Sequence, residues 1–169
     1  MKDYKSLKET TAFSEEDARF MEMAIRLSEE NIDTGGGPFG AVIVKDGEIV
    51  AEGANSVTLN NDPTAHAEVS AIRNACAALD TFNLTGCEIY SSCEPCPMCL
   101  SAIYWARLDA LYYAATRSDA AEMNFDDSAI YDQMALADED RSLPIKRMMR
   151  TEALEAFKMW AEKTDKTSY

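Results

Sequence analysis

The chain has 169 residues, of which 47% are hydrophobic, and its 16 basic against 30 acidic residues give a formal net charge of −14. This is the length of one ordinary domain with a buried core, and no apolar run approaches the roughly 18 residues of a membrane span. Because phosphate contacts dominate nucleic-acid affinity, so acidic a chain favours a small uncharged substrate over a polyanion. The polar N-terminal sequence lacks the apolar middle of a signal peptide, so we expect a cytoplasmic location.

The first half of the chain predicts one helix followed by a hairpin. The helix begins at Ser14, where "SEED" resembles a capping box with Asp17 in place of the usual glutamate, and it ends before "GGG". A hairpin is predicted over residues 40–53, where "AVIV" and "EIVAEG" flank the turn "KDG". We expect residues 1–13 to be a flexible extension and residues 14–169 to form one domain.

The second half alternates between helices and strands. A helix is predicted over residues 64–79, then the strand "CEIYSS", a helix with Pro97 at its first position, and the strand "ALYYAA". A last strand is predicted over 145–150 and a final helix over 152–163, whose apolar residues the pattern alone assigns to the core. Alternation after an initial hairpin predicts an α/β fold, with a mixed sheet covered by helices on both faces.

Metal-ligating residue types occur at the predicted starts of two helices. His66 is the one histidine of the chain, and Cys96 and Cys99 belong to the cluster "CEPCPMC". Without an export signal, clustered thiols indicate metal or redox chemistry rather than disulfides. Two cysteines three residues apart at a helix start share one side, where the helix dipole favours thiolates. One imidazole and two thiolates leave the fourth position of zinc open for water, as in catalytic sites.

Glu68 stands two residues after His66. Inside a regular helix these two side chains would point away from each other, so they share a target only if the pair lies at the helix start. A glutamate beside metal-activated water supplies the base and acid that hydrolysis requires. H-x-E followed by P-C-x-x-C is the pattern of zinc-dependent nucleobase deaminases, so the sequence predicts Glu68 as the catalytic residue.

Two other interpretations of the cysteines remain open. Cys93 also forms a C-x-x-C with Cys96, although we favour Cys96 and Cys99 because they flank the proline that starts the helix. A structural zinc in a binding module normally needs four protein ligands, and Cys93 or Cys87 would have to be the fourth. A thioredoxin-like motif is disfavoured, because no strand–C-x-x-C–helix unit is predicted near the N-terminus.

Four stretches closely resemble bacterial-type guanine deaminases of the cytidine deaminase-like superfamily: "GGPFGAVIV", "NDPTAHAEVSAIR", "YSSCEPCPMCLSAIYWAR" and "FDDS". The resemblance covers residues 14–169 and is strongest over 35–107. It implies a three-layer α/β/α fold with a five-stranded mixed sheet, one Zn²⁺ per chain and a homodimer. It also implies hydrolysis of guanine to xanthine and ammonia, with Glu68 carrying protons to the ring nitrogen and to the departing amine.

The same resemblance implies roles for residues outside the metal site. Phe39 is expected to stack on the base, Asn55 to hydrogen-bond it, and Asp127 to lie near its amino group. The C-terminal segment is expected to swap onto a partner and close its site, with Tyr169 of the partner subunit contributing. The chain departs from the family pattern at Asn124, where a glycine is expected before "FDD".

Other substrates remain open. A tRNA adenosine deaminase shares both motifs, but it needs a basic surface and carries a small aliphatic residue in place of Phe39. Guanosine, cytosine and cytidine are further alternatives, because the sequence does not show whether the pocket is closed beneath the base.

Overall fold

The computed structural model describes residues 12–168, which form two compact units, one ending at Phe125 and one beginning at Asp126. Residues 1–11 of the predicted extension lie outside the described residues, as does Tyr169. Within residues 12–168, no helix combines the length and the apolar character that crossing a bilayer requires.

The first unit contains a mixed sheet. Its described elements, in chain order, are α1 (Glu15–Asp33), β1 (Gly40–Lys45), β2 (Glu48–Ala54), α2 (Val57–Asn60), α3 (Ala67–Ala78), β3 (Cys87–Cys93), α4 (Pro97–Ala106), β4 (Ala110–Ala115) and α5 (Arg117–Glu122). The strand order is β2-β1-β3-β4, with β1 antiparallel to both neighbours and β3 parallel to β4. The predicted hairpin, the two strands after it and the helix between them are therefore confirmed.

Helices cover both faces of this sheet. On one face α1 packs against β1 and β3 in a core made of Phe20, Ala24, Val42, Val44 and Tyr90. On the other face α3 and α4 close a core of small and aliphatic residues that includes Ala41, Ile43, Ala67, Ala71, Ala75, Ile89 and Ile103. The first unit therefore has the predicted α/β/α layering.

The helix starts follow local sequence signals. The Ser14 hydroxyl accepts the backbone N–H of Asp17 at 3.0 Å, and the Asp17 carboxylate accepts the backbone N–H of Ser14 at 2.8 Å. This reciprocal pair confirms the predicted capping box of α1. Pro97 occupies the first position of α4, as predicted.

The predicted strand over residues 145–150 is wrong, and the described residues form four strands rather than five. The second unit contains α6 (Ser128–Met134), a 3₁₀ turn (Asp138–Asp140) and α7 (Arg150–Glu162). A strand requires backbone pairing with a neighbour, but residues 145–149 have no assigned secondary structure and are exposed. Met149 has φ of 52°, which interrupts an extended chain immediately before α7 begins.

The final helix is confirmed, but its apolar residues are not core residues in the single chain. Phe157, Met159 and Trp160 of α7 are exposed. The apolar pattern therefore predicted the helix correctly, but it wrongly predicted that these side chains are buried.

Candidate metal centre

His66 lies at the start of α3, where the chain is not yet helical. Its backbone is extended, with φ of −70° and ψ of 159°, and Glu68 lies in the first turn of the helix. The chain enters α3 through a turn at Asp62, where the Asp62 carboxylate accepts the backbone N–H of Thr64 at 2.8 Å. His66 and Glu68 therefore lie at a helix start, as predicted from their two-residue spacing, which inside a regular helix would point them apart.

Cys96 and Cys99 lie at the start of α4 in the corresponding arrangement. Cys96 is the residue before the helix, with φ of −63° and ψ of 169°, and Cys99 follows in the first turn. Pro97 stabilises this start because its fixed φ suits the first helical position, where the backbone N–H has no helical partner. Cys99 is buried, whereas Cys96 is half-buried.

The two helix starts bring the three predicted ligands together. The Nδ1 atom of His66 lies 3.6 Å from the sulfur of Cys96 and 3.4 Å from that of Cys99, and all three ligand atoms lie within 4.8 Å of one another. Tetrahedral zinc, with bonds of about 2.0 Å to nitrogen and about 2.3 Å to sulfur, would separate these atoms by about 3.6 Å. The donor atoms thus already have the spacing of a zinc coordination sphere.

The pKa values of the two thiols are shifted in opposite directions. A hydrogen bond from Cys99, together with the neighbouring His66, lowers the pKa of Cys96 to about 4. The same hydrogen bond and burial raise the pKa of Cys99. The lowered pKa of Cys96 agrees with a thiolate at the helix start, and the raised pKa of Cys99 means that a cation binding both sulfurs would displace the proton of Cys99.

Glu68 is buried, with 6% of its surface exposed, and lies beside the ligands. The Cys99 thiol hydrogen-bonds to its carboxylate, and the charges of Cys96 and His66 also act on it. Burial is the main cause that raises the pKa of Glu68, since it disfavours the charged form. A carboxyl with a raised pKa is suited to taking up and returning a proton near neutral pH.

Cys93 lies outside the ligand group. Its thiol donates to the backbone oxygen of Thr116 at 3.8 Å, and burial raises its pKa to about 12. Cys87 is buried in the core of the α3 face. Among residues 12–168, the group of three or more metal-ligating side chains with this spacing is His66, Cys96 and Cys99. The centre therefore has three protein ligands, which favours a catalytic over a structural zinc.

Backbone contacts bring the segments of Phe39 and Asn55 to the start of α3. The Asn55 N–H donates to the Phe39 oxygen at 3.1 Å, and the Ser56 N–H donates to the oxygen of Ala65, the residue before His66, at 2.9 Å. Asn55 is buried and Phe39 is half-buried. Both predicted base-binding residues therefore lie on segments tied to the ligand-bearing helix.

Two residues that the sequence analysis missed contact these segments. Phe125 packs edge-on against Phe39, with ring centroids 4.9 Å apart and an interplanar angle of 87°. Asn31, in the last turn of α1, hydrogen-bonds to the backbone of both segments. Its sequence signal is weak, since an asparagine near a helix end before "GGG" resembles an ordinary capping residue.

The remaining predicted residues lie in or near the second unit. Asp127 immediately precedes α6, and its proximity to the substrate amino group stays a prediction. Asn124 has φ of 68°, a left-handed conformation that glycine adopts freely and asparagine tolerates. The replacement of the expected glycine therefore preserves this turn.

The fold and the three-ligand centre define a zinc-dependent deaminase, and comparison with known proteins agrees. Residues 14–115 match the cytidine and deoxycytidylate deaminase zinc-binding region. The chain is 54% identical over 151 residues to guanine deaminase of Bacillus subtilis, across 89% of this chain and 97% of that protein. An X-ray structure of guanine deaminase from B. subtilis matches 90% of this chain and 98% of its own with a TM-score of 0.88 and 53% identity.

A tRNA-specific adenosine deaminase of Aquifex aeolicus is 44% identical over 96 residues, across 57% of this chain and 64% of that protein. The similarity to the B. subtilis protein is thus both higher and more extensive. The chain belongs to the guanine deaminase family within the cytidine and deoxycytidylate deaminase-like proteins.

Proposed function

We propose that the protein is a zinc-dependent guanine deaminase that hydrolyses guanine to xanthine and ammonia in purine catabolism or salvage. The observation that carries this proposal is the buried Glu68 carboxyl beside a three-ligand zinc site, in a chain of the guanine deaminase family. One water is consumed, a bond forms between its oxygen and carbon 2 of guanine, and the bond from carbon 2 to the exocyclic nitrogen breaks.

Glu68 moves the protons of this reaction. Zinc held by His66, Cys96 and Cys99 would lower the pKa of a water molecule in its open fourth position. Glu68 accepts one proton of the attacking water and passes it to the ring nitrogen adjacent to carbon 2. It then accepts the second proton of that water, from the hydroxyl now bonded to carbon 2, and gives it to the departing amine. Its burial supports this role because a carboxyl screened from bulk water exchanges protons with the substrate rather than with solvent.

Phe39 and Asn55 orient the base in this proposal. The Phe39 ring stacks on the purine, and the edge-on ring of Phe125 restrains it. The side chain of Asn55 hydrogen-bonds to the purine, and Asp127 lies near its amino group. The net charge of −14 favours a free base over tRNA as the substrate.

In this proposal the C-terminal segment of the domain formed by residues 14–169 crosses to the partner subunit and closes the active site of that subunit. The protein is a domain-swapped homodimer, and Tyr169 of the partner subunit contributes to the pocket. The exposed apolar residues Phe157, Met159 and Trp160 of α7 support this arrangement, since exposed apolar clusters commonly mark contact surfaces. Deleting residues 164–169 is expected to raise the KM for guanine; an unchanged KM would argue against closure by the tail.

The catalytic assignment is tested by ammonia release and xanthine formation from guanine. Glu68→Gln preserves the shape of the side chain but cannot take up a proton, so we expect one zinc per chain and a loss of turnover of about 10²- to 10⁴-fold. Guanosine, cytosine, cytidine, adenine and tRNA complete the substrate panel. Parent activity in Glu68→Gln contradicts the proton-transfer role, and turnover of another substrate without turnover of guanine contradicts the substrate assignment.

The ligand set is tested with a matched pair of cysteine variants. Cys99→Ser is expected to lose zinc, because it removes a soft thiolate donor that belongs only to the proposed pair of Cys96 and Cys99. Cys93→Ser changes a neighbouring buried thiol that bonds to Thr116 rather than to the ligands, so it is expected to retain one zinc per chain. If Cys93→Ser alone lost zinc, the metal would be held by Cys93 and Cys96 instead of by Cys96 and Cys99.

A further inference from the structure

We propose that Asn31 is a positioning residue of the substrate pocket, whose side-chain amide holds Phe39 and Asn55 in place for the base. Asn31 lies in the last turn of α1, and no metal ligand belongs to that helix. This inference rests on the proposed function, because Phe39 and Asn55 are the residues that orient guanine in it.

The Asn31 amide makes two short hydrogen bonds to two different segments. Its nitrogen donates to the backbone oxygens of Gly37 and Asn55, both at 2.7 Å. Its oxygen accepts the Thr34 hydroxyl at 3.1 Å. Both amide hydrogens are therefore used within the protein, and with 8% of its surface exposed Asn31 is screened from competing water.

These bonds close a ring, which we call the Asn31 network: Asn31, Gly37, Phe39 and Asn55. The Phe39 N–H donates to the same Gly37 oxygen at 2.8 Å, and the Phe39 oxygen accepts the Asn55 N–H at 3.1 Å. The Asn55 oxygen then accepts from Asn31, which completes the ring. The backbone of Phe39 is thus bonded to Gly37 and to Asn55, and the backbone of Asn55 is bonded to Phe39 and to the Asn31 side chain.

The packing of Gly36 leaves the Asn31 amide little freedom. A Cβ atom at Gly36 would lie 2.3 Å from the Asn31 side-chain nitrogen and 2.5 Å from the Asn55 backbone oxygen. The glycine backbone therefore presses directly on the amide and on the carbonyl that it contacts. Within the Asn31 network, the side chain of Asn31 is the one element that links the end of α1 to both segments.

Loss of the network is expected to impair substrate binding while leaving the zinc site intact. The metal ligands lie at the starts of α3 and α4, whereas Asn31 contacts Gly37 and Asn55. A displacement of about 1 Å in a positioning group can cost about a hundredfold in rate. We therefore expect Asn31→Ala to lower kcat/KM for guanine about tenfold to a hundredfold, mainly through KM, with one zinc per chain.

Asn74→Ala is the matched control. The Asn74 amide also donates from a helix to a backbone oxygen of a strand, that of Glu52 at 2.8 Å, but on the exposed surface. We expect its KM to stay within about twofold of the parent value, since a surface amide bond contributes about 1 kcal/mol to folding and orients no substrate group. A purely structural role for Asn31 would lower the thermal midpoint without changing KM below it.

Gly36→Ala perturbs the same network without altering Asn31, and it serves if Asn31→Ala does not fold. It is expected to raise KM in the same direction. Parent KM in a folded Asn31→Ala or Gly36→Ala variant overturns the inference, as does a loss of zinc that accounts for the loss of activity. If the parent protein deaminates another base instead of guanine, the proposed function fails, and the same KM comparison with that base still tests Asn31.

Discussion

The two faces of the sheet in the first unit are built differently. On the α1 face, aromatic rings fill the core: Phe20 and Tyr90 have ring centroids 5.3 Å apart, and Tyr90 stacks on Tyr112 at 4.5 Å. The Tyr90 hydroxyl donates to the Asp17 carboxylate at 2.6 Å and so connects the sheet to the start of α1. This face carries no predicted ligand or proton-transfer residue.

On the opposite face, small residues let α3 approach the sheet at backbone distance. The helix packs with Ala67, Ala71 and Ala75, and a Cβ atom at Gly53 of β2 would lie 2.3 Å from the Ala67 oxygen. This close contact occurs at the first turn of α3, next to His66 and Glu68. A helix approaches the sheet at backbone distance on both faces, α1 at Gly40 and α3 at Gly53, but only the approach at Gly53 lies beside the helix start that carries His66 and Glu68. The comparison teaches that close packing of the same kind positions the metal site on one face and supports an aromatic core on the other.

The largest effect is expected from Gly53→Ala. Its new Cβ would meet the backbone oxygen of Ala67 at 2.3 Å and the backbone nitrogen of Ala71 at 2.4 Å, and no rotamer change relieves a backbone clash. We expect a loss of about 2 kcal/mol or more in the free energy of unfolding. Because the clash displaces the helix start that bears His66, zinc affinity should also fall about tenfold or more. Denaturant unfolding and zinc titration measure the two effects.

Gly40→Ala is the counterpart on the α1 face. Its Cβ would lie 2.4 Å from the Ala24 oxygen and 2.7 Å from the Ser28 nitrogen, so the clash with α1 is of the same kind. We expect a comparable loss of stability with zinc affinity close to that of the parent. Equal losses of zinc affinity in both glycine variants would contradict the division of roles between the faces.

The features that the sequence predicted correctly depend on local patterns. The Ser14 capping box and Pro97 at a helix start involve residues within one turn of each other. The position of His66 before α3 also followed from local geometry, because only a helix start lets it share a target with a residue two positions later. Motif spacing then identified the ligand group.

The features that the sequence did not predict depend on tertiary contacts. Asn31 acts through carbonyls 6 and 24 residues away along the chain, and no local pattern marks those partners. The strand predicted over residues 145–150 failed for the same reason, because a strand depends on a pairing neighbour that this segment does not have among the described residues. The opposite pKa shifts of Cys96 and Cys99 come from burial and from a hydrogen bond between them, and their spacing in the sequence does not show which thiol has the lower pKa.

An intermediate effect is expected from Tyr90→Phe, which keeps the aromatic packing of the α1 face but removes its bond to Asp17. Losing this partly buried hydrogen bond, whose carboxylate is screened by solvent, should reduce the free energy of unfolding by about 1 kcal/mol at pH 7. Catalysis should be unchanged, because Tyr90 faces away from the ligands. Tyr104→Phe, which alters an exposed tyrosine, is the control and should leave stability close to that of the parent.

The difference between Tyr90→Phe and the parent should depend on pH. The hydrogen bond from Tyr90 is the main cause that lowers the pKa of Asp17. A lowered folded-state pKa contributes stability that is fully present above the unfolded value of about 4 and is lost as pH falls through the folded value. Unfolding from pH 7 to pH 3 should therefore show a constant difference above about pH 5 that shrinks below pH 4. A difference that grows on acidification would contradict this linkage.

The smallest effects are expected from two matched capping residues, Ser14 of α1 and Thr116 of α5. Each hydroxyl accepts the N–H of an aspartate three residues later, Asp17 at 3.0 Å and Asp119 at 3.2 Å, so Ser14→Ala and Thr116→Ala should each cost about 1 kcal/mol. Their effects on activity should differ, because the start of α5 contacts the ligand loop.

The Arg117 N–H donates to the Glu94 carboxylate at 3.1 Å, two residues before Cys96, whereas Asp17 at the start of α1 bonds to Tyr90 in the core of the α1 face. We therefore expect Thr116→Ala to weaken zinc binding by a few-fold and Ser14→Ala to leave it unchanged, as measured by zinc titration of folded protein. Equal zinc affinities in the two variants would show that the contacts of α5 with the ligand loop survive fraying of its first turn. The positioning function would then be confined to the close packing of α3 on Gly53.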